Sequence, residues 1–238
     1  MSWSLSPGLR RVAVVSELVS ELFESIVTMT SSTYLRLTEL NDDNKEKHKV
    51  LRRIASLEAS SYPIEEGATE SMLRFRLENA RPFFLLAYLS PTSEESELLV
   101  GFVNGTLTIS DELSEESMTG HDPNGSVLCI HSVVIDPAFR RMGLGTRMVK
   151  QYTATIWESQ VQVKRILLIA KAPLVKFYVS CGFIVNNLSP IVHGKDPWFE
   201  LELDCEAARR PVIIQVMYLF LSSQPLGSCS ICKHVYKC

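Results

Sequence analysis

Two glycines, Gly143 and Gly145, lie in the run Arg140-Arg141-Met142-Gly143-Leu144-Gly145-Thr146, between an apolar β-branched stretch and a segment of helical periodicity. That combination can cradle phosphate. Residues without a Cβ let the backbone turn sharply and let a diphosphate approach successive N–H groups, and a helix N-terminus adds unpaired donors and the positive end of its dipole. The spacing excludes two other phosphate loops. A dinucleotide fingerprint needs a third glycine at position 148, which is Met148, and a Walker loop needs Gly-Lys-Ser/Thr, which does not occur.

The elements that must position this loop are readable on both sides of it. Ser126 to Ile135 (SVLCIHSVVI) reads as a buried strand, and Met148, Val149, Tyr152 and Ile156 recur at helical spacing after the turn. Further on, Arg165 to Lys171 (RILLIAK) reads as a buried parallel strand and Pro173 to Gly182 (PLVKFYVSCG) as a short helix ended by glycine. Upstream, the pattern predicts a strand from Tyr34 to Leu40, helices from Asn44 to about Ser60 and from Thr69 to Asn79, and a hairpin of Phe83 to Tyr88 with Leu98 to Thr108 joined by the polar turn PTSEESE.

With these elements in place, Arg-x-x-Gly-x-Gly, from Arg140, Gly143 and Gly145, resembles the acyl-CoA pyrophosphate loop of the GNAT superfamily of N-acetyltransferases. Leu174, Phe177, Tyr178, Gly182 and Phe183 are similar to its second signature, L-x-x-x-F-Y-x-x-x-G-F. Within that superfamily, residues 30 to 204 resemble the arylalkylamine (serotonin) N-acetyltransferases. Gly101-Phe102, Gly105-Thr106-Leu107, the segment Leu113 to Met118, the loop Ser60 to Glu66 and Trp198 to Leu201 carry the likeness. On the catalytic strand, Cys129-Ile130-His131-Ser132 replaces the H-x-H of vertebrate members and is similar to the C-[LI]-H-S of the non-vertebrate, fungal-like branch.

The resemblance implies a mixed α/β fold, a largely antiparallel sheet with a splayed parallel central pair, and acetyl transfer from acetyl-CoA to a primary amine by direct attack in a ternary complex. An alkylammonium titrates near 10, so only about one amine in a thousand is a free nucleophile at pH 7 and a base is required. His131, titrating near neutrality, is the expected base, and Tyr178 the expected acid for the departing CoA thiolate. Cys129 shares the strand face of His131 by the two-residue period and is expected to line the acceptor channel, without a nucleophile's role. Backbone groups of Val133, Val134 and Ile135 are expected along the pantetheine, and Arg140, Arg141, Met142, Gly143, Leu144, Gly145 and Thr146 around the pyrophosphate. Tyr62, Pro63, Val133, Ile169 and Trp198 are expected to line the acceptor pocket. An arylalkylamine or a polyamine suits such walls. Acetylation of protein or peptide amines, and a non-catalytic acetyl-CoA-binding module, remain as rival readings.

Composition agrees with this picture. A net charge of -3 over 238 residues offers no basic stripe for nucleic acid, and no apolar run reaches the roughly 18 residues of a membrane span. Six irregularly spaced cysteines suit a reducing compartment, so a cytoplasmic, metal-free monomer is expected. Residues 1 to 30 read as an extension with Val15, Leu18, Leu22 and Ile26 at helical spacing; residues 31 to 204 form the acetyltransferase domain and 205 to 238 a tail. The tail holds the apolar run Pro211 to Leu221 and half a zinc knuckle in Cys229, Cys232, His234 and Cys238, too compressed for a tetrahedral site. Arg52-Arg53-Ile54-Ala55-Ser56 has the composition of a basophilic kinase site but reads as a helix surface, and His193 as a solvated loop residue.

Overall fold

In the computed structural model, residues 34–40, 44–90, 97–191 and 194–205 are described. The N-terminal periodicity of Val15 to Ile26, the hairpin turn at 91–96, His193, the apolar run Pro211 to Leu221 and the half-knuckle all lie outside the described residues.

Seven strands form one sheet in the order β1-β2-β3-β4-β5-β7-β6. They are β1 (Tyr34–Thr38), β2 (Phe84–Ser90), β3 (Leu98–Thr108), β4 (Val127–Ile135), β5 (Arg165–Lys171), β6 (Ile184–Leu188) and β7 (Trp198–Asp204). Five helices accompany them: α1 (Asn44–Ala59), α2 (Glu70–Asn79), α3 (Glu115–Thr119), α4 (Leu144–Ser159) and α5 (Ala172–Ser180). Of the described strand pairs, only β4 with β5 is parallel.

Periodicity decides which face each helix buries. In α4, Leu144, Met148, Val149, Tyr152 and Ile156 form the apolar stripe, packing with Leu128 and Ile130 of β4 and Ile166 and Leu168 of β5. The Tyr152 hydroxyl, deep in that layer, donates to the Phe83 carbonyl at 2.9 Å, as a buried phenol must. On the opposite face, Val50, Leu51, Ile54 and Leu57 of α1 and Leu73 and Leu77 of α2 pack against Phe84, Leu86, Phe102 and Val134. Helix α2 starts where Thr69 accepts the Met72 N–H at 3.3 Å.

The elements agree with the sequence to within a residue or two, save that β6 is not foreshadowed. Its five residues (IVNNL) are all exposed at the sheet edge, so no buried face imposes an apolar alternation.

Candidate active site

The parallel pair is short. Strands β4 and β5 match only at Val127 with Arg165, Leu128 with Ile166 and Cys129 with Leu167, and beyond Cys129 they separate. A cavity of about 660 Å³ occupies the gap, lined by Ile130, His131, Ser132 and Val133 on one side and Leu168, Ile169, Ala170 and Lys171 on the other.

At the start of the split β4 carries a β-bulge. Ser132 pairs with Asn104 and Ile130 with Gly105, so His131 is an extra residue with no partner on β3. A one-residue slip moves every later side chain to the other face. Leu128, Ile130, Val133 and Ile135 accordingly face the α4 layer, while Ser132 and Val134 face α1. Gly105 permits the close approach opposite: a Cβ there would come within 2.7 Å of the Cys129 carbonyl oxygen.

The His131 side chain is half-buried. Its Nε2 is 2.7 Å from Thr106 Oγ1, and the single Thr106 hydroxyl proton is directed at the Ser117 carbonyl at 3.3 Å. Nε2–H therefore donates to Thr106, and Nδ1 is left as an unpartnered acceptor. Burial, then the positive charge of Arg76, holds the His131 pKa well below its ordinary range rather than near neutrality. The imidazole is neutral at pH 7, the form in which a base must stand. Tyr178 reaches the same cavity from α5, packed edge-on against Phe177 and Phe183 with centroids 4.8 and 5.9 Å away. Burial, then Tyr62 and Cys181, pushes its phenol well above the usual value, so it stays protonated.

Tyr62, Pro63, Ile169 and Trp198 line the cavity together. The Tyr62 hydroxyl accepts a long hydrogen bond from Val133 N–H at 3.4 Å on the open side of β4, and its pKa is raised by burial and then by Glu58. At the rim, Lys171 Nζ bridges Glu66 at 2.6 Å and Asp196 at 2.9 Å and lies 5.4 Å from the centroid of the Trp198 ring. Three segments are thereby joined around the opening.

Two expectations of placement on β4 fail. Cys129 does not line the cavity: it lies at the last paired position of β4, fully buried with Leu113, Val127 and Leu167. Burial pushes its thiol up to about 11, with Ser117 as a hydrogen-bond partner. Val134 cannot present its backbone to the split. Asp136 N–H donates to the Val100 carbonyl at 2.7 Å, and the two-residue period turns Val134 toward β3 as well, with its side chain in the α1 and α2 core. Val133 and Ile135 face the other way. The Ile135 carbonyl is already taken by Arg140 Nε at 2.9 Å.

The loop has the backbone expected of an anion cradle. Arg141 at φ 66° and Gly143 at φ 76° are left-handed, and alternation of that kind curls successive N–H groups inward. The first α4 bond runs from Arg147 N–H to the Gly143 carbonyl at 3.1 Å, so the amides of Gly143, Leu144, Gly145 and Thr146 precede the ladder. A Cβ on Gly143 would meet nothing within 4 Å, leaving open space where a diphosphate would sit. The Leu144 side chain is in the core and Met142 is exposed, so both can serve through N–H groups alone. Arg140 is turned back: besides Ile135 it bonds Ser61 Oγ at 2.8 Å. Arg53 of the Arg52 to Ser56 run donates to the Leu99 carbonyl and pairs with Asp136, and is thus a brace for α1.

Sequence reasoning missed a buried polar cluster behind the histidine. Glu58 Oε1 accepts Ala68 N–H at 2.8 Å and the Ser132 hydroxyl at 3.0 Å, and Arg76 donates to Asn104 Oδ1 at 3.2 Å. Burial raises the Glu58 pKa and lowers that of Arg76 to about 10. The signal was available: Glu58 falls on the stripe of Leu51 and Ile54, and Arg76 beside Leu73 and Leu77, charged residues at core positions of amphipathic helices.

A sheet opened between its two parallel strands, with a left-handed loop leading into the helix beyond, defines an N-acyltransferase that draws on an acyl-CoA. The chain belongs to the acetyltransferase (GNAT) family, whose family model matches residues 51–183. Serotonin N-acetyltransferase of Macaca mulatta is 34% identical over 146 residues, spanning 60% of this chain and 71% of that protein. The Homo sapiens serotonin N-acetyltransferase is 30% identical over 158 residues, 65% of this chain and 75% of that one. Among solved structures, the loading GNATL domain of CurA from Lyngbya majuscula superposes with a TM-score of 0.61 at 15% identity, covering 73% of this chain and 98% of that one, a likeness of fold. No helix among the described residues is long and apolar enough to cross a membrane.

Proposed function

We propose that this protein transfers acetyl from acetyl-CoA to the primary amine of an arylalkylamine, by direct attack with both substrates bound. The convergence of His131 and Tyr178 on one cavity walled by Tyr62, Pro63, Ile169 and Trp198 is the observation that carries this reading. A neutral imidazole and a protonated phenol are the forms that base and acid must have at the start of the reaction. Aromatic and apolar walls suit a ring on a short alkyl chain, and the serotonin N-acetyltransferase relatives favour the same class.

The pyrophosphate rests on the amides of the loop 141–146, and the pantetheine runs along the open edge of β4 past Val133. The bound ammonium first gives a proton to His131 Nδ1, and the freed amine nitrogen attacks the thioester carbonyl carbon. The carbon–sulfur bond then breaks, Tyr178 protonates the leaving thiolate, and the phenolate takes the remaining surplus proton from nitrogen, giving the N-acetylamine and CoA. No acyl-enzyme forms, in keeping with a buried Cys129 thiol that is not ionised at neutral pH. Side-by-side turnover of tryptamine, spermidine and a lysine-bearing peptide tests the reading. Tryptamine is expected to have the highest kcat/KM, and preference for the peptide would move the protein to protein-directed acetylation.

A further inference from the structure

Acetyl transfer as written uses a base and an acid, yet the cavity floor holds a third ionisable group. Glu58, only 2% exposed, lines that floor from the last turn of α1. Its Oε1 takes two donors, Ala68 N–H and the Ser132 hydroxyl, whereas Oε2 has none. A buried carboxylate oxygen without a donor is unfavourable unless something fills the place. The bulge brings it near the base, since Ser132, which bonds Glu58, directly follows His131 and shares its face. His131 Nδ1 is unpartnered as well. Of the other charges around the cavity, Arg76 lies close enough for its charge to act on Glu58 and donates its hydrogen bond to Asn104 rather than to Oε2, Glu66 is bridged by Lys171 at the rim, and Glu65 is exposed.

We propose that Glu58 is the substrate-binding residue that recognises the charge of the acceptor: its Oε2 receives the primary ammonium and holds the nitrogen beside His131. An ammonium brings three N–H donors, enough to meet the carboxylate oxygen and the imidazole together. The site thereby selects a cation over an uncharged molecule of the same shape. This inference rests on the amine-acetylation reading above.

The test compares tryptamine with its uncharged isostere tryptophol, each titrated calorimetrically into the CoA-loaded protein, together with tryptamine turnover. Wild type is expected to bind tryptamine at least tenfold more tightly, and Glu58→Gln to bring the two within about twofold while its CoA affinity is unchanged. A Glu58→Gln variant that keeps the preference, or a wild type that has none, overturns the inference and leaves the proposed function standing. Should Glu58→Gln fail to fold, Glu58→Asp decides. A carboxylate withdrawn by one methylene is expected to retain the preference but bind tryptamine at least fivefold more weakly, and binding equal to wild type overturns the inference. A wild type that turns over no amine overturns the proposed function, and this inference with it.

Discussion

Arg140 Nε donates to the Ile135 carbonyl at 2.9 Å, so the basic residue of the phosphate loop closes back onto the strand that feeds it. Its Nη2 reaches Ser61 Oγ at 2.8 Å and ties in the loop after α1. The planar guanidinium makes both contacts in one geometry, which a lysine cannot. Arg140→Ala and Arg140→Lys are both expected to weaken acetyl-CoA binding by roughly tenfold, the worth of one charged hydrogen bond. Calorimetric titration checks this, and wild-type affinity in the Lys variant would show that charge alone matters.

At Gly143 backbone and side-chain effects can be separated. A Cβ there meets no atom within 4 Å, so Gly143→Ala is expected to lose about 1–2 kcal/mol through the left-handed backbone alone, read by urea denaturation. Gly143→Glu adds bulk and negative charge where the diphosphate is proposed to rest and should abolish acetyl-CoA binding in a folded protein. Retained affinity would remove the loop from the cofactor site.

The pH dependence follows from His131. Its folded-state pKa lies below the ordinary 6.5, so between the two values the unfolded chain binds a proton that the folded chain does not. Stability therefore rises with pH through that window, is fully present above 6.5 and is lost as pH falls. His121, also depressed by burial, acts in the same direction. Denaturation midpoints of wild type should drop from pH 7 to pH 5.5, and those of His131→Asn should drop less. The same shift places the acid limb of kcat/KM below 6.5, and His131→Ala should be partly rescued as pH rises toward the pKa of the amine.

Tyr178→Phe removes the proposed acid while keeping the ring contacts with Phe177 and Phe183. A fall in kcat of about 10² with little change in acetyl-CoA affinity is expected. Cys129→Ala should lower kcat less than about tenfold, since no covalent step involves it. Rapid-quench detection of acetyl on Cys129 would refute that.

The order of elements was legible because the buried strands and amphipathic helices announce themselves by period, and the loop by its glycines. The line-up of His131, Tyr178, Tyr62 and Trp198 on one cavity was legible through family likeness. The bulge was not. Val127 to Ile135 is apolar on both faces, so nothing in SVLCIHSVVI marks where alternation breaks; nor does it mark that β4 stays paired with β5 through Cys129 or that Val134 turns its backbone toward β3. The partners of Arg140 were equally hidden, because an arginine in a glycine loop reads as a phosphate ligand until Ile135 and Ser61 are seen beside it. Glu58 and Arg76 were readable in principle as charges on core stripes, but their meeting behind Ser132 depends on contacts between residues 74 positions apart.

Strand β4 is one residue longer than its sheet needs, and the surplus residue is the histidine. Remove His131 from the count and Leu128, Ile130, Val133 and Ile135 alternate perfectly with Val127, Cys129, Ser132 and Val134, each still in its own layer. Architecture and reactivity are thus separable in this chain. A one-codon deletion at 131 is expected to give a regular, better-paired strand that lacks the proposed base, so a lineage released from the need for turnover would have a short route to a sturdier, silent version of the same fold.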